Sequence, residues 1–111
     1  MADNLSGYCV VSTTMDSEQA ADRLAHVVVE QRLAACVQIA PIRSTYWWNG
    51  AIETASEFVL WAKTRTEREK ELCAFIRENH AYETPEILVT PITSGAPDYL
   101  DWIHSETRKT G

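Results

Sequence analysis

A chain of 111 residues with 45% apolar and 23% charged residues is one domain with a core of its own, neither disordered nor dependent on a metal or cofactor to fold. Ten Lys and Arg against sixteen Asp and Glu give a formal charge of −6, which opposes a nucleic-acid backbone as partner. The opening MADNLSG has no basic and apolar leader pattern and no apolar run nears the ~18 residues a membrane span needs, so a cytoplasmic protein without a membrane partner is expected.

The first element is a short strand, Tyr8 to Ser12, followed by Asp16 and Ser17, which can accept hydrogen bonds from the free N–H groups of a helix start. Ala20, Leu24 and Val28, flanked by Ala21 and Val27, then repeat at helical spacing to about Arg32. Ala35 to Ile39 is the second strand, interrupted at Pro41 and resumed from Ser44 to Trp48. Asn49-Gly50 next supplies the positive-φ pair of a tight hairpin, with the return running from Ile52 and through Glu57 to Thr64. Thr66-Glu67-Arg68-Glu69 fits a capping box, after which Leu72 and Ile76 mark a helix face to about Asn79. Ile87 to Ile92 is the fourth strand. Beyond Pro97, suited to a first helical position, DYLDWIHSE forms a short terminal helix with Leu100, Ile103 and Tyr99 inward.

The order β-α-β-β-α-β plus a tail helix is that of an α+β, ferredoxin-like sandwich. A sheet with helices on one face alternates apolar and polar residues if its other face is wet. Here Phe58, Leu60 and Ala62 share one face of the third strand while Val59 and Trp61 share the other. One subunit has nothing left to cover the second face, so a homo-oligomer is expected.

Few residues carry distinctive chemistry. His80, followed by Tyr82, Glu83 and Glu86, can bind a divalent cation or exchange protons near neutral pH; equally, Pro85 ends a turn, the acids are solvated and His80 closes the preceding helix at its negative end. Lys63 can meet an acid or an anionic ligand, or simply guard a strand end. Cys36 reads as a small core hydrophobe, with a soft-metal ligand as the alternative, and Cys9 and Cys73 as core residues; three cysteines without a CxxC pair make no disulfide framework. Trp47, Trp48 and Trp102 fill cores and interfaces or stack a ligand, with Trp48 expected at a subunit boundary. GxSxG, HExxH and Gly-rich phosphate loops are absent, so no enzyme motif is present.

Taken together, RLAACVQI (Arg32 to Ile39), YWWNGAIE (Tyr46 to Glu53), Lys63-Thr64, HAYETPEI (His80 to Ile87) and DYLDWI (Asp98 to Ile103) resemble the CutA family of divalent-cation tolerance proteins, in order and spacing. The resemblance spans about residues 8 to 105 of a single domain, leaving 1–7 and 106–111 as loose ends. It implies a ferredoxin-like subunit in a compact homotrimer similar to the PII signalling proteins, with sheets inside and helices outside. It also implies that the residues matched by His80, Tyr82, Glu83 and Pro85 lie at an intersubunit cleft near Lys63 and Trp48.

Two departures stand out. The family's HPYE here reads HAYE, Ala81 replacing a rigid Pro. Copper-binding members carry a Cys and a His-His pair where this chain has Ser12 and Asn79-His80, and Ser12 and Asn79 are poor copper ligands.

The expected function is a trimeric, non-catalytic binding protein of divalent-cation tolerance, with Cu(II) or another divalent cation as ligand. His80, Glu83 and Glu86 are its metal candidates, and Lys63, Tyr82, Glu83 and Trp48 shape the cleft. The alternative is a PII-like sensor of a small anionic metabolite contacted by Lys63. An acylphosphatase-type hydrolase ranks below both, because STTMDS after the first strand offers no Arg to cradle a phosphate.

Overall fold

The computed structural model of the protein describes residues 6–108. In chain order the elements are β1 (Tyr8–Met15), α1 (Glu18–Glu30), β2 (Cys36–Trp48), β3 (Ala51–Arg65), α2 (Glu69–Glu78), β4 (Ile87–Ile92) and α3 (Pro97–Glu106). Ser17 caps α1 as its position predicts: its backbone is extended and its Oγ accepts the Ala20 N–H at 3.1 Å. Entry to α2 differs from a simple capping box. A 3-10 turn over Thr66–Arg68 precedes it, the Thr66 N–H donating to Gly7 O at 2.9 Å while the Glu69 N–H turns back to Thr66 O.

The four strands form one antiparallel sheet in the order β2-β3-β1-β4, so each β-α-β unit has a foreign strand inserted between its own two. This is the ferredoxin-like α+β arrangement that the element order predicts. Helices α1 and α2 cover one face. Ala21, Leu24 and Val28 of α1 and Leu72 and Ile76 of α2 pack there against Cys9, Val11, Met15, Leu60 and Ala62. Thr64 joins this core because its Oγ1 donates to Leu33 O at 2.7 Å, which satisfies a hydroxyl that burial would otherwise strand.

β2 is longer than expected because Pro41 does not interrupt it. β2 lies at the sheet edge, where a residue lacking an N–H forfeits no ladder bond on its outer side, and Pro41 pairs in register with Phe58. The turn after it, at Asn49 (φ 52°) and Gly50 (φ 81°), has the paired positive φ of a tight hairpin. β1 follows β3 only as far as Phe58, so Ile42–Trp48 and Ala51–Glu57 run on beyond the sheet as a two-stranded ribbon. The ribbon stretches the molecule to 44 × 33 × 21 Å and its Cα radius of gyration to 14.8 Å, against about 13 Å for a compact chain of this length.

The second face of the sheet is not wholly bare, as the sequence had implied. Cys36, Lys63 and Arg65 lie on it by register, and α3 packs over that end. Arg65 Nε donates to Thr107 Oγ1 at 2.9 Å and Arg65 Nη2 to Thr107 O at 2.7 Å, while Ile103 is fully buried outside the main core. Tyr99, expected inward, is instead 42% exposed at the margin of this contact. The segments flanking the elements are tied in as well: Ser6 Oγ bonds Ile92 O, and Glu106 pairs with Arg32 at 2.8 Å. Of the expected loose ends, 1–5 and 109–111 lie outside the described residues.

One consequence of the core is a pH limit. Burial first, then the nearby Glu69 and Cys73, push the Cys9 thiol from 9.0 up to about 11. A raised folded-state pKa means the folded protein holds a proton that the unfolded chain releases, so this contribution is intact below pH 9 and disappears between pH 9 and about 11. Urea midpoints measured across that window are expected to fall with rising pH, and to fall less in Cys9→Ala. Equal slopes for both proteins would remove Cys9 as the cause.

Candidate functional site

The connection between α2 and β4 is anchored by His80. Its Nδ1 accepts the Tyr82 N–H at 3.1 Å, which leaves the proton on Nε2, and that nitrogen lies 2.7 Å from Thr14 O of β1 as its donor. Both ring nitrogens are therefore used within the fold. The His80 and Tyr82 rings stack obliquely, with centroids 4.8 Å apart, and Pro85 is buried beneath the turn. His80 thus holds the connection against the sheet, and neither nitrogen presents a free lone pair.

From this anchor Tyr82 reaches the base of the ribbon, its hydroxyl donating to Glu57 Oε2 at 2.9 Å. Burial, and then the bond to Glu57, push the Tyr82 phenol well above its usual range, so it stays a neutral donor. Between the connection and the ribbon lies a cleft of about 780 Å³. Its ribbon wall comprises Ser44, Tyr46, Trp48 and Glu57, its floor Thr14, and its outer wall Tyr82, Glu83 and Glu86. Ser44, Tyr46 and Trp48 share one strand face because side chains alternate along β2, and register puts Thr14 on the same side. Three carboxylates and three aromatic rings line the cleft, and among the described residues no Lys, Arg or His does.

The structure brings together some predicted site residues and separates others. Tyr82, Glu83, Glu86 and Trp48 meet in the cleft. Lys63 does not: six residues from Glu57, it lies roughly 20 Å along β3, where it bonds Gln38 Oε1 and faces Cys36 across the strands. Ser12 sits mid-sheet between Trp61 and Leu88, and Asn79 closes α2 by donating from Nδ2 to Phe75 O at 2.9 Å. Cys36 neighbours Tyr99 of α3 rather than any His or acid of the cleft, and burial followed by that thiol raises the Tyr99 pKa. Among the described residues no three His, Cys, Asp or Glu side chains converge as a metal group, so the expected set of His80, Glu83 and Glu86 is not assembled.

Glu57 and Tyr46 escaped notice as site residues. An acid on the second face of β3, where Val59 and Trp61 follow at alternate positions, was the available signal for Glu57.

A family model for the CutA1 divalent ion tolerance protein matches residues 9–106. The chain is 39% identical over 102 residues to "Protein CutA 1, chloroplastic" of Oryza sativa subsp. japonica, covering 91% of this chain and 58% of that protein, so it spans little more than half that relative's length. It is 44% identical over 90 residues to the "Divalent-cation tolerance protein CutA" of Archaeoglobus fulgidus, covering 81% of this chain and 88% of that one. The solved structure of the periplasmic divalent cation tolerance protein CutA from Archaeoglobus fulgidus superposes with a TM-score of 0.89 at 40% identity, over 91% of this chain and 99% of that one.

Proposed function

The chain belongs to the CutA1 divalent ion tolerance family, and from that premise we propose that it is a non-catalytic binding protein of divalent-cation tolerance, acting as a homotrimer with ligand held at intersubunit clefts. The observation that carries the assembly is exposed apolar surface of the wrong kind for a monomer. Trp47 is 72% and Ile52 63% exposed on the ribbon, and Leu88 is 56% exposed on the uncovered part of the sheet. A two-stranded ribbon is marginal alone in water and gains stability by lying on another surface. Sheet against sheet, with the ribbons embracing neighbours, would cover both regions and close the cleft with a second subunit.

Copper is one candidate cation, and Glu83 and Glu86, both exposed at the cleft, would supply oxygens to it or to a harder ion. His80 can join them only by giving up Tyr82 N–H or Thr14 O. Three free thiols fit a reducing compartment, and we place the protein in the cytoplasm on that ground. A second reading, sensing of an anionic metabolite through Lys63, requires a neighbour's Lys63 to enter a cleft whose own residues are acidic.

Calorimetric titration of Cu(II) into the purified protein near neutral pH tests the metal assignment. Saturable binding is expected to weaken in a Glu83→Gln, Glu86→Gln double variant and to survive His80→Ala. Binding lost only in His80→Ala would return the first ligand to the histidine, and no binding in any form would remove copper from the function.

A further inference from the structure

We propose that α3 is a strap, hinged at residues 93–96 and fastened at its far end by Arg32, which opens and closes over the Cys36 and Lys63 end of the second face. The device goes beyond the ligand reading and lies within one subunit. Its clasp stands at the C-terminal end of α1, in the helical layer that the proposed assembly keeps outermost, so sheet-to-sheet packing leaves it in place.

The clasp begins with a backbone anomaly. Arg32 has φ 63°, in the left-handed region that glycine occupies freely and other L residues enter at a cost. This conformation closes α1: the Arg32 N–H donates to Val29 O at 3.0 Å and the Leu33 N–H to Val28 O at 2.9 Å. Glycine would serve there without strain, so what the arginine adds is its side chain, and that side chain reaches α3. Arg32 Nη1 donates to Glu106 Oε1 at 2.8 Å and to Glu106 O at 3.3 Å. Glu106 O is one of the last-turn carbonyls that a helix leaves without an internal partner, and a cation is favoured at that end.

The rest of α3 fits a strap. Its N-terminal end has no side-chain cap, and the exposed residues 93–96 before it belong to no helix or strand. Its far end is held by the Arg32 to Glu106 pair and by Arg65, whose Nη2 donates to Thr107 O at 2.7 Å. Between these ends Tyr99 reaches the Cys36 thiol, and Lys63 lies opposite Cys36 in register. The Arg32 and Glu106 side chains are half-exposed, so salt screens their attraction and loosens the clasp.

The test alkylates the native assembly with iodoacetamide and follows Cys9, Cys36 and Cys73 separately by peptide mass spectrometry, in the parent, Arg32→Gly and Arg32→Lys. Glycine relieves the backbone at this position, is freer than arginine when unfolded, and keeps the bond from Arg68 Nη2 to the carbonyl of residue 32 at 3.2 Å. The urea midpoint is therefore expected to hold. Cys36 should react about fivefold faster in Arg32→Gly, the size of one partly exposed charged contact, while Cys9 and Cys73 keep their parental rates. Arg32→Lys, which retains the charge, should fall between. Raising sodium chloride should speed Cys36 in the parent and leave Arg32→Gly unmoved.

An unchanged Cys36 rate in Arg32→Gly overturns the proposal, as does a parental rate insensitive to salt. Equal acceleration of all three thiols, or a lowered urea midpoint, would show general loosening in place of a strap and overturns it as well.

Discussion

Replacing Trp61 and Leu88 together by aspartate is expected to yield a folded protein that sediments at the 12.5 kDa of one subunit, where the parent, as the proposed trimer, is expected to sediment at three times that mass. The two side chains flank Ser12 in register across β3, β1 and β4, on the face that α1 and α2 leave uncovered. Within one subunit they are 39% and 56% exposed, and substitutions at such positions change subunit stability by only about 0.5 kcal/mol. Within a sheet-to-sheet interface the same aspartates would be unpaired charges taken out of water, each costing several kcal/mol. Sedimentation equilibrium and circular dichroism on one sample separate the two effects. A parent already at one subunit mass would refute the trimer, and a variant still at three would show that another surface holds it together.

The second large effect separates the two hydrophobic centres of the subunit. Leu72 and Ile103 are both fully buried, and truncating either to alanine is expected to cost about 2 to 5 kcal/mol from lost burial and the cavity left behind. The consequences should differ. Leu72 belongs to the cluster shared by α1, α2 and the sheet, so Leu72→Ala should lower the global unfolding midpoint. Ile103 stands outside that cluster, where α3 is held by the Arg65 to Thr107 bonds and the Arg32 to Glu106 pair. Ile103→Ala should therefore free α3 locally, and amide exchange should accelerate across residues 97–107 ahead of the rest. Uniform acceleration in Ile103→Ala would show that α3 is an integral part of the main folding unit.

Much of the architecture was legible because it rests on local pattern. Ser17 caps a helix wherever its hydroxyl meets a free N–H, Asn49-Gly50 turns a hairpin because both tolerate positive φ, and Leu24, Val28, Leu72 and Ile76 repeat at the helical period. Pro41 was misjudged because its cost depends on whether the strand is at an edge, which pairing order decides. Tyr99 was misplaced because spacing along α3 cannot say where the contact with the sheet ends.

The candidate site was legible only in part. The HAYE block pointed to the connection that borders the cleft, yet the role of His80 depends on Thr14, 66 residues away in sequence, whose carbonyl accepts a hydrogen bond from Nε2. The family resemblance placed Lys63 near the cleft residues across a subunit boundary, whereas within one subunit the two stand apart. Strand rise separates them, since each residue of β3 adds about 3.3 Å and nothing in the subunit folds that distance back.

By itself, the sequence determined the elements, their order and the apolar character of both sheet faces, since these follow from propensities and periods that act over a few residues. Tertiary structure alone decided that α3 shields one end of the second face, that His80 is a bracket and that Glu57 joins Tyr82 at an acidic, aromatic cleft. Those outcomes depend on register and on contacts between distant segments, and no local pattern encodes which distant atoms will meet.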